Sequence, residues 1–333
     1  MIIENFNHQQ SAHCESGVTL SLLQHAGVPL SEPLAFGIGA GLFFGHLPFV
    51  KVNGIPGTTF RIWPGYIFKR VSKELGVTIK TESFSTPDKA MLALDNALQN
   101  RQPVGMQTSV FFLDYFPPAW RFHFNAHNLI AFGKEGNEYL ISDPVMQSVT
   151  RLPAEALSKA RFAKGFPAPK GKMYFPVKTG QGKPLDKAVI SGIHKTCFFM
   201  LKSPPPFFGQ NGIRFLGKKV AKYPEKMEPR KAALCIGNII RMQEEIGTGG
   251  GGFRFLYAAF LQEAAGILKR DDFTGLSHEM TAIGDQWRNF AYAAARVMKD
   301  RSGSLATYGE LGDMLAQLAD KEKDFFTRLR KSV

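Results

Sequence analysis

Apolar residues recur at Val18, Leu22, Leu23 and Ala26 within Ser16 to Ala26, the spacing of one face of a helix, and Gly27 supplies its stop signal. The period changes between Arg121 and Phe132. There Phe122, Phe124, Ile130 and Phe132 alternate with His123, Asn125 and His127, which predicts a strand carrying the three polar side chains on one face. A second short apolar run, Glu138 to Ser142, follows the turn-forming stretch Gly133 to Asn137, so the two runs are expected to pair as a hairpin. From residue 230 onward the spacing is helical again. Arg230 to Ile246, Phe253 to Lys269, Leu276 to Lys299 and Leu305 to Lys331 predict a helical C-terminal region. Pro33 to Val50 contains no Asp, Glu, Lys or Arg, but its Gly37, Gly39, Gly41, Gly45 and Pro48 suit a buried glycine-rich loop better than a membrane-spanning helix.

Chemistry enters at the edges of these elements. Cys14 stands at or just before the start of the first helix, where unpaired backbone N–H groups and the positive end of the helix dipole favour a thiolate over a thiol. Folding the hairpin about residues 133–137 brings His127 opposite Asp143 to within about one residue, with Cβ atoms roughly 5 Å apart. A carboxylate at that distance can orient an imidazole, and the imidazole can activate Cys14. His123 and His127 are four residues apart on a strand, about 13 Å, too far to share a metal ion, so no metal is expected. His123 and Asn125 are read as substrate-facing or structural hydrogen-bonding groups. Glu32, beside the glycine-rich run, reads either as a binder of an amine acceptor or as a turn cap. Cys197 and Cys235 lie in apolar patterns and read as core thiols.

The order Cys, His, Asp, with the cysteine opening an N-terminal helix, is similar to the papain-like fold and its bacteriocin-processing peptidase C39 relatives. The chain resembles still more closely the family of butirosin biosynthesis protein H. The residues that carry this are His13 to Gly17, Ser31-Glu32, Phe36 to Leu42, His127-Asn128 and Ser142-Asp143-Pro144, with a further echo in Gly249 to Arg254 and Phe260 to Ala264. The resemblance implies an acyltransferase that moves an acyl group from an acyl carrier protein thioester, through an acyl-Cys14, to a small amine acceptor, using no cofactor beyond the phosphopantetheine of the donor protein. Papain-like enzymes also place an oxyanion-stabilising glutamine six residues before the cysteine. His8 stands there in this chain, which leaves Gln9 and Gln10 as the candidates.

The expected fold is α+β, with a papain-like N-terminal domain over residues 1–180 and a mainly α-helical domain over residues 181–333. Composition fits two soluble domains, with 44% hydrophobic and 21% charged residues. Three cysteines without regular spacing argue against a disulfide framework. Met1 to Gln10 has neither a basic nor an apolar leader segment, so the protein is expected in the cytoplasm. The net charge of +13 is concentrated, since residues 159–231 hold 17 Lys and Arg against 3 Asp and Glu. This basic stretch, rich in proline, reads as a boundary region that is either a solvated linker or a surface for an acidic carrier protein or a phosphate. No zinc-finger spacing or RNA-binding aromatic motif accompanies it, so nucleic acid is not expected. Gly249 to Gly252 with Arg254 reads as a phosphate cradle or as a turn for tight helix packing. The same triad would serve a cysteine peptidase or amidase, and the third alternative is a non-catalytic binding protein. Retention of Cys14, His127 and Asp143 together argues for an enzyme.

Overall fold

The computed structural model describes residues 1–52, 54–247, 249–299 and 307–333. Two helices come first, α1 (Cys14–His25) and α2 (Glu32–Ile38), followed by strands β1 (Leu42–Val52) and β2 (Ile55–Arg61). Then come α3 (Tyr66–Glu74), β3 (Val77–Glu82), α4 (Pro87–Gln99), β4 (Val104–Thr108), β5 (His127–Glu135), β6 (Glu138–Ser142), β7 (Thr150–Pro153), α5 (Ala154–Arg161) and β8 (Met173–Thr179). Helices make up the rest: α6 (Leu185–Lys202), α7 (Gly209–Val220), α8 (Tyr223–Lys226), α9 (Pro229–Glu244), α10 (Arg254–Leu268), α11 (Asp272–Met298) and α12 (Tyr308–Lys331). The fold is α+β, with antiparallel sheets and a mainly helical C-terminal region.

The chain forms two compact units that interleave in sequence. One comprises residues 1–35 and 64–183, the other residues 36–63 and 184–333. Sequence patterning places a single boundary near residue 180. A crossing does occur there, at the segment before α6, but residues 36–63 lie with the helical unit rather than with the N-terminal one. That segment also departs from the buried loop expected of Pro33 to Val50. It contains the end of α2 and the long strand β1, paired antiparallel with β2.

In the first unit a six-stranded antiparallel sheet runs in the order β3-β8-β4-β5-β6-β7. Its core joins Val18 and Leu22 of α1 to Leu94 and Leu98 of α4, Met106 of β4 and Leu129 of β5. Cys14 through Leu23 are all buried, so α1 is a central helix and not the half-exposed one its apolar spacing predicts. Its polar residues tolerate this because they are bonded internally. Glu15 accepts the N–H of Ile67 at 2.9 Å, and Thr19 donates to the carbonyl of Glu15 at 2.7 Å.

In the second unit the predicted helices appear as α9 to α12, each close to its expected span, although Leu305 lies outside the described residues. The basic stretch 159–231 is folded into α5, β8, α6, α7 and α8, which removes the linker reading. Arg254 and Glu322 are fully buried and form two hydrogen bonds of 2.9 Å, with the Trp287 indole donating to the same carboxylate at 2.7 Å. Such pairs lose about 3–5 kcal/mol when one partner is removed, because the other charge is left uncompensated. This pairing also decides between the readings of the glycine run, of which Thr248 lies outside the described residues. Arg254 is bound to Glu322, and Glu244 accepts the Gly251 N–H, so an acidic side chain of the protein faces the loop that a phosphate would need. Gly252 has φ +58°, and a Cβ there would lie 2.4 Å from the Phe60 ring. The run is a packing turn.

Candidate active site

The site is assembled by the first turn of α1, the start of β5 and the residues just beyond β6. His13 caps α1, its Nδ1 accepting the Ser16 N–H at 3.3 Å and meeting the Ser16 hydroxyl at 3.0 Å, which sets Cys14 as the first helical residue, two earlier than the apolar pattern predicts. Gly17 lets the loop after β6 come close, since a Cβ there would sit 2.6 Å from Pro144 and 2.7 Å from Ser11. The Ser11 N–H then bonds the Pro144 carbonyl at 2.7 Å and ties that loop to the approach of α1.

His127 Nε2 lies 2.7 Å from Asp143 Oδ2, and Cys14 is near enough to the same imidazole to act on its titration. All three residues are buried, at 5% exposure or less. Asp143 is held by two further donors, the Tyr115 hydroxyl to Oδ2 at 2.7 Å and the Val145 N–H to Oδ1 at 3.1 Å. The expected cross-strand register is nevertheless wrong by two residues. β5 continues to Glu135 and the hairpin turns over Gly136 and Asn137 alone, with a bulge between Ala131 and Gly133, so Ile130 pairs with Ser142. Asp143 reaches His127 diagonally from beyond the strand end.

Burial acts to lower the His127 pKa, but the charge and hydrogen bond of Asp143, with the hydrogen bond and charge of Cys14, outweigh it and push the value up to about 10. The imidazole is therefore protonated at neutral pH, the state that stabilises a thiolate beside it. Burial, then Asp143, push the Tyr115 phenol upward, which keeps it a neutral donor. Because the folded-state pKa of His127 exceeds the ordinary 6.5, the stability that its protonated form contributes is complete below about pH 6.5 and is lost as pH rises through about 10. The reactivity of Cys14 toward iodoacetamide is expected to hold through neutral pH and change near pH 10. In Asp143→Asn that alkaline transition should move down; an unmoved transition would dissociate Asp143 from the titration.

The segment 121–126 is not a strand, because β4 ends at Thr108, whose partner is His127, leaving nothing for the upstream residues to pair with. His123 is exposed and stacks on Phe111, with ring centroids 4.1 Å apart. Asn125 is buried and donates to the Lys164 carbonyl at 2.9 Å. Neither shares the His127 contacts with Cys14 and Asp143. Glu32 accepts from the N–H groups of Ala12 and His13, at 2.8 and 2.7 Å, and from the Ser16 hydroxyl at 2.9 Å. Both its oxygens therefore brace the turn that delivers Cys14, as the capping alternative requires. Burial raises its pKa against the lowering effect of those bonds. Gln9 and Gln10 are exposed and make no hydrogen bond among the described residues. His8 fastens this segment down instead, through Ser142 Oγ at 2.8 Å and the Met146 carbonyl at 3.1 Å.

Sequence reasoning missed Tyr115, Asn128 and Tyr174. The Asn128 amide donates toward the Cys14 sulfur at 3.9 Å, and the Tyr174 hydroxyl donates to Asn128 Oδ1 at 2.7 Å. Asn128 had a signal in its place beside His127. The two tyrosines lie 28 and 46 residues from their partners, so no local pattern points to them. Cys197 and Cys235 are buried free thiols, and burial pushes the pKa of the first up to about 12. No cluster of three metal-ligating side chains occurs among the described residues, and no helix there is long and apolar enough to cross a membrane.

Compared with known families, residues 13–144 match the butirosin biosynthesis protein H N-terminal domain, and residues 155–329 match a domain of unknown function, DUF4872. No curated protein matches the chain. Among solved structures, a candidate C39-like peptidase from Bacillus anthracis aligns with 54% of this chain and 98% of its own at 18% identity, with a TM-score of 0.39, too low to establish a common fold by itself.

Proposed function

We propose, on the premise that the chain belongs to the butirosin biosynthesis protein H-like family, its N-terminal domain followed by the DUF4872 domain, that it is a cysteine-dependent acyltransferase. The observation that carries this reading is the contact of His127 with both Cys14 and Asp143 in a buried setting. In the first half-reaction the Cys14 thiolate attacks the carbonyl of an acyl thioester. A C–S bond forms, the carbonyl electron pair moves to oxygen, and collapse of the adduct expels the donor thiolate, which takes the proton of the His127 imidazolium. In the second, a neutral amine attacks acyl-Cys14, His127 removes its proton, and the amide leaves as the C–S bond to Cys14 breaks. Asp143 orients the imidazole and stabilises its charge, with Tyr115 and the Val145 N–H holding the carboxylate.

The donor we propose is an acidic acyl carrier protein with a phosphopantetheine arm. Lys218, Lys219, Lys222, Lys226, Arg230 and Lys231 are exposed and form no ion pair among the described residues, which leaves a concentrated positive surface on the helical unit. The test is to load the enzyme with a carrier-bound acyl group and chase it with a panel of small amines. Amide as the main product supports transfer, while free acid at the same rate with and without amine would make the protein a hydrolase. Reversing Lys218, Lys219 and Lys222 to Glu should raise KM for the carrier-bound thioester and leave a small thioester mimic unaffected. Equal losses on both substrates would remove the docking role.

A further inference from the structure

We infer that Asn128 supplies the side-chain donor of the oxyanion site, in place of a glutamine upstream of the cysteine. This rests on the acyl-transfer reading of the same site. The Asn128 amide is oriented by every bond it makes. Its Nδ2 donates to the Ala126 carbonyl at 3.2 Å and toward Cys14 Sγ at 3.9 Å, and its Oδ1 accepts the Tyr174 hydroxyl at 2.7 Å. Turning the amide over would face its oxygen against the Ala126 carbonyl and the sulfur, two acceptors, so the N–H group is fixed toward the nucleophile.

The sheet is built to hold this orientation. β8, β4 and β5 lie side by side, with Tyr174 opposite Gly105 and Gly105 opposite Ile130. A Cβ at Gly105 would sit 2.5 Å from the Tyr174 ring and 2.9 Å from Leu22. The missing side chain on the middle strand lets the phenol cross it and reach Asn128 on the next strand. Tyr174 is itself buried and packs against Phe68, with ring centroids 4.8 Å apart.

The span from Nδ2 to sulfur also suits the chemistry. When Cys14 adds to a thioester carbonyl, the new oxyanion sits one atom beyond the carbon joined to sulfur. An oxygen there lies between sulfur and the amide, within the roughly 3 Å reach of a charge-stabilising donor. The N–H thus meets an acceptor that gains its full charge only in the tetrahedral adduct, where a donor lowers the barrier most. Gln9 and Gln10 are exposed and carry no comparable constraint.

The experiment compares two reactions of Cys14 in the full-length protein, acylation by a small acyl thioester followed by intact mass, and alkylation by iodoacetamide, which forms no oxyanion. Asn128→Ala is expected to slow acylation by about 10²–10³-fold, the loss typical of one oxyanion donor, and to slow alkylation far less, because in that reaction only the long 3.9 Å contact with the Cys14 sulfur is lost. Tyr174→Phe, which keeps the ring and its packing, should slow acylation to a lesser degree, and again more than it slows alkylation. Unimpaired acylation in both variants would overturn the assignment. So would a matching loss in both reactions, because Asn128 would then act only on the thiolate or on the fold. A wild-type enzyme that is alkylated at Cys14 but accepts no thioester would instead overturn the acyl-transfer reading, and the oxyanion role with it.

Discussion

Replacing Cys14 with serine is expected to abolish acyl loading while preserving the fold. Sulfur and oxygen are near in size, and Cys14 is already enclosed by Asn128, His127 and the first turn of α1, so the variant should unfold at close to the wild-type temperature. The chemistry changes far more than the packing. A hydroxyl has a much higher pKa than a thiol, and the protonated His127 that supports a thiolate cannot act as the base a serine needs. Intact-mass measurement after exposure to a thioester should show an adduct on the wild type alone. Undiminished loading of the variant at Cys197 or Cys235 would remove Cys14 from the reaction, although both those thiols are buried and burial raises their pKa.

The second large effect is expected at His127. Its replacement by alanine removes both the stabilising charge beside the thiolate and the proton carrier for each half-reaction, a loss of about 10²–10⁴-fold in turnover. It also strands Asp143, a buried carboxylate left with Tyr115 and the Val145 N–H as partners, so a fall in thermal stability should accompany the kinetic one. Asp143→Asn should cost less. An amide oxygen can still accept from His127 and Tyr115, and what is lost is the charge that raises the imidazole pKa and the acceptor for the Val145 N–H. The ordering is checked by single-turnover acylation rates for the two variants. A larger loss in Asp143→Asn than in His127→Ala would mean that His127 is not the proton carrier.

Much of this candidate site is legible in the chain because Cys14, His127 and Asp143 sit at the edges of strongly patterned segments. The apolar spacing of residues 18–26 locates a helix whose start must fall near Cys14, and the two runs around Gly136-Asn137 can hardly do other than pair. Register is another matter. It depends on whether the turn takes five residues or two, and the positive φ of Gly136 with the bulge after Ala131 is settled by packing on both sides of the sheet. The alternation at His123, Asn125 and His127 misleads for a related reason, since a strand exists only as far as a neighbour pairs with it, and β4 stops opposite His127. The C-terminal helices follow their patterns closely because each has an apolar face to bury over several turns. The interleaved units are not legible. Residues 36–63 join the helical unit through contacts such as Phe44 and Phe60 on Trp287, more than 200 residues away in sequence, which no local period can report. Glu32 shows the limit of residue type as a guide: a carboxylate near the site is a turn brace because three donors converge on it.

Whether Cys14 carries the acyl group is decided by peptide mapping of the wild-type protein quenched during turnover of an acyl carrier thioester. The acyl mass is expected on the peptide containing Cys14, absent from those containing Cys197 and Cys235, and discharged as an amide when an acceptor amine is added. An amide formed without any adduct on Cys14, or an adduct that no amine discharges, would contradict it.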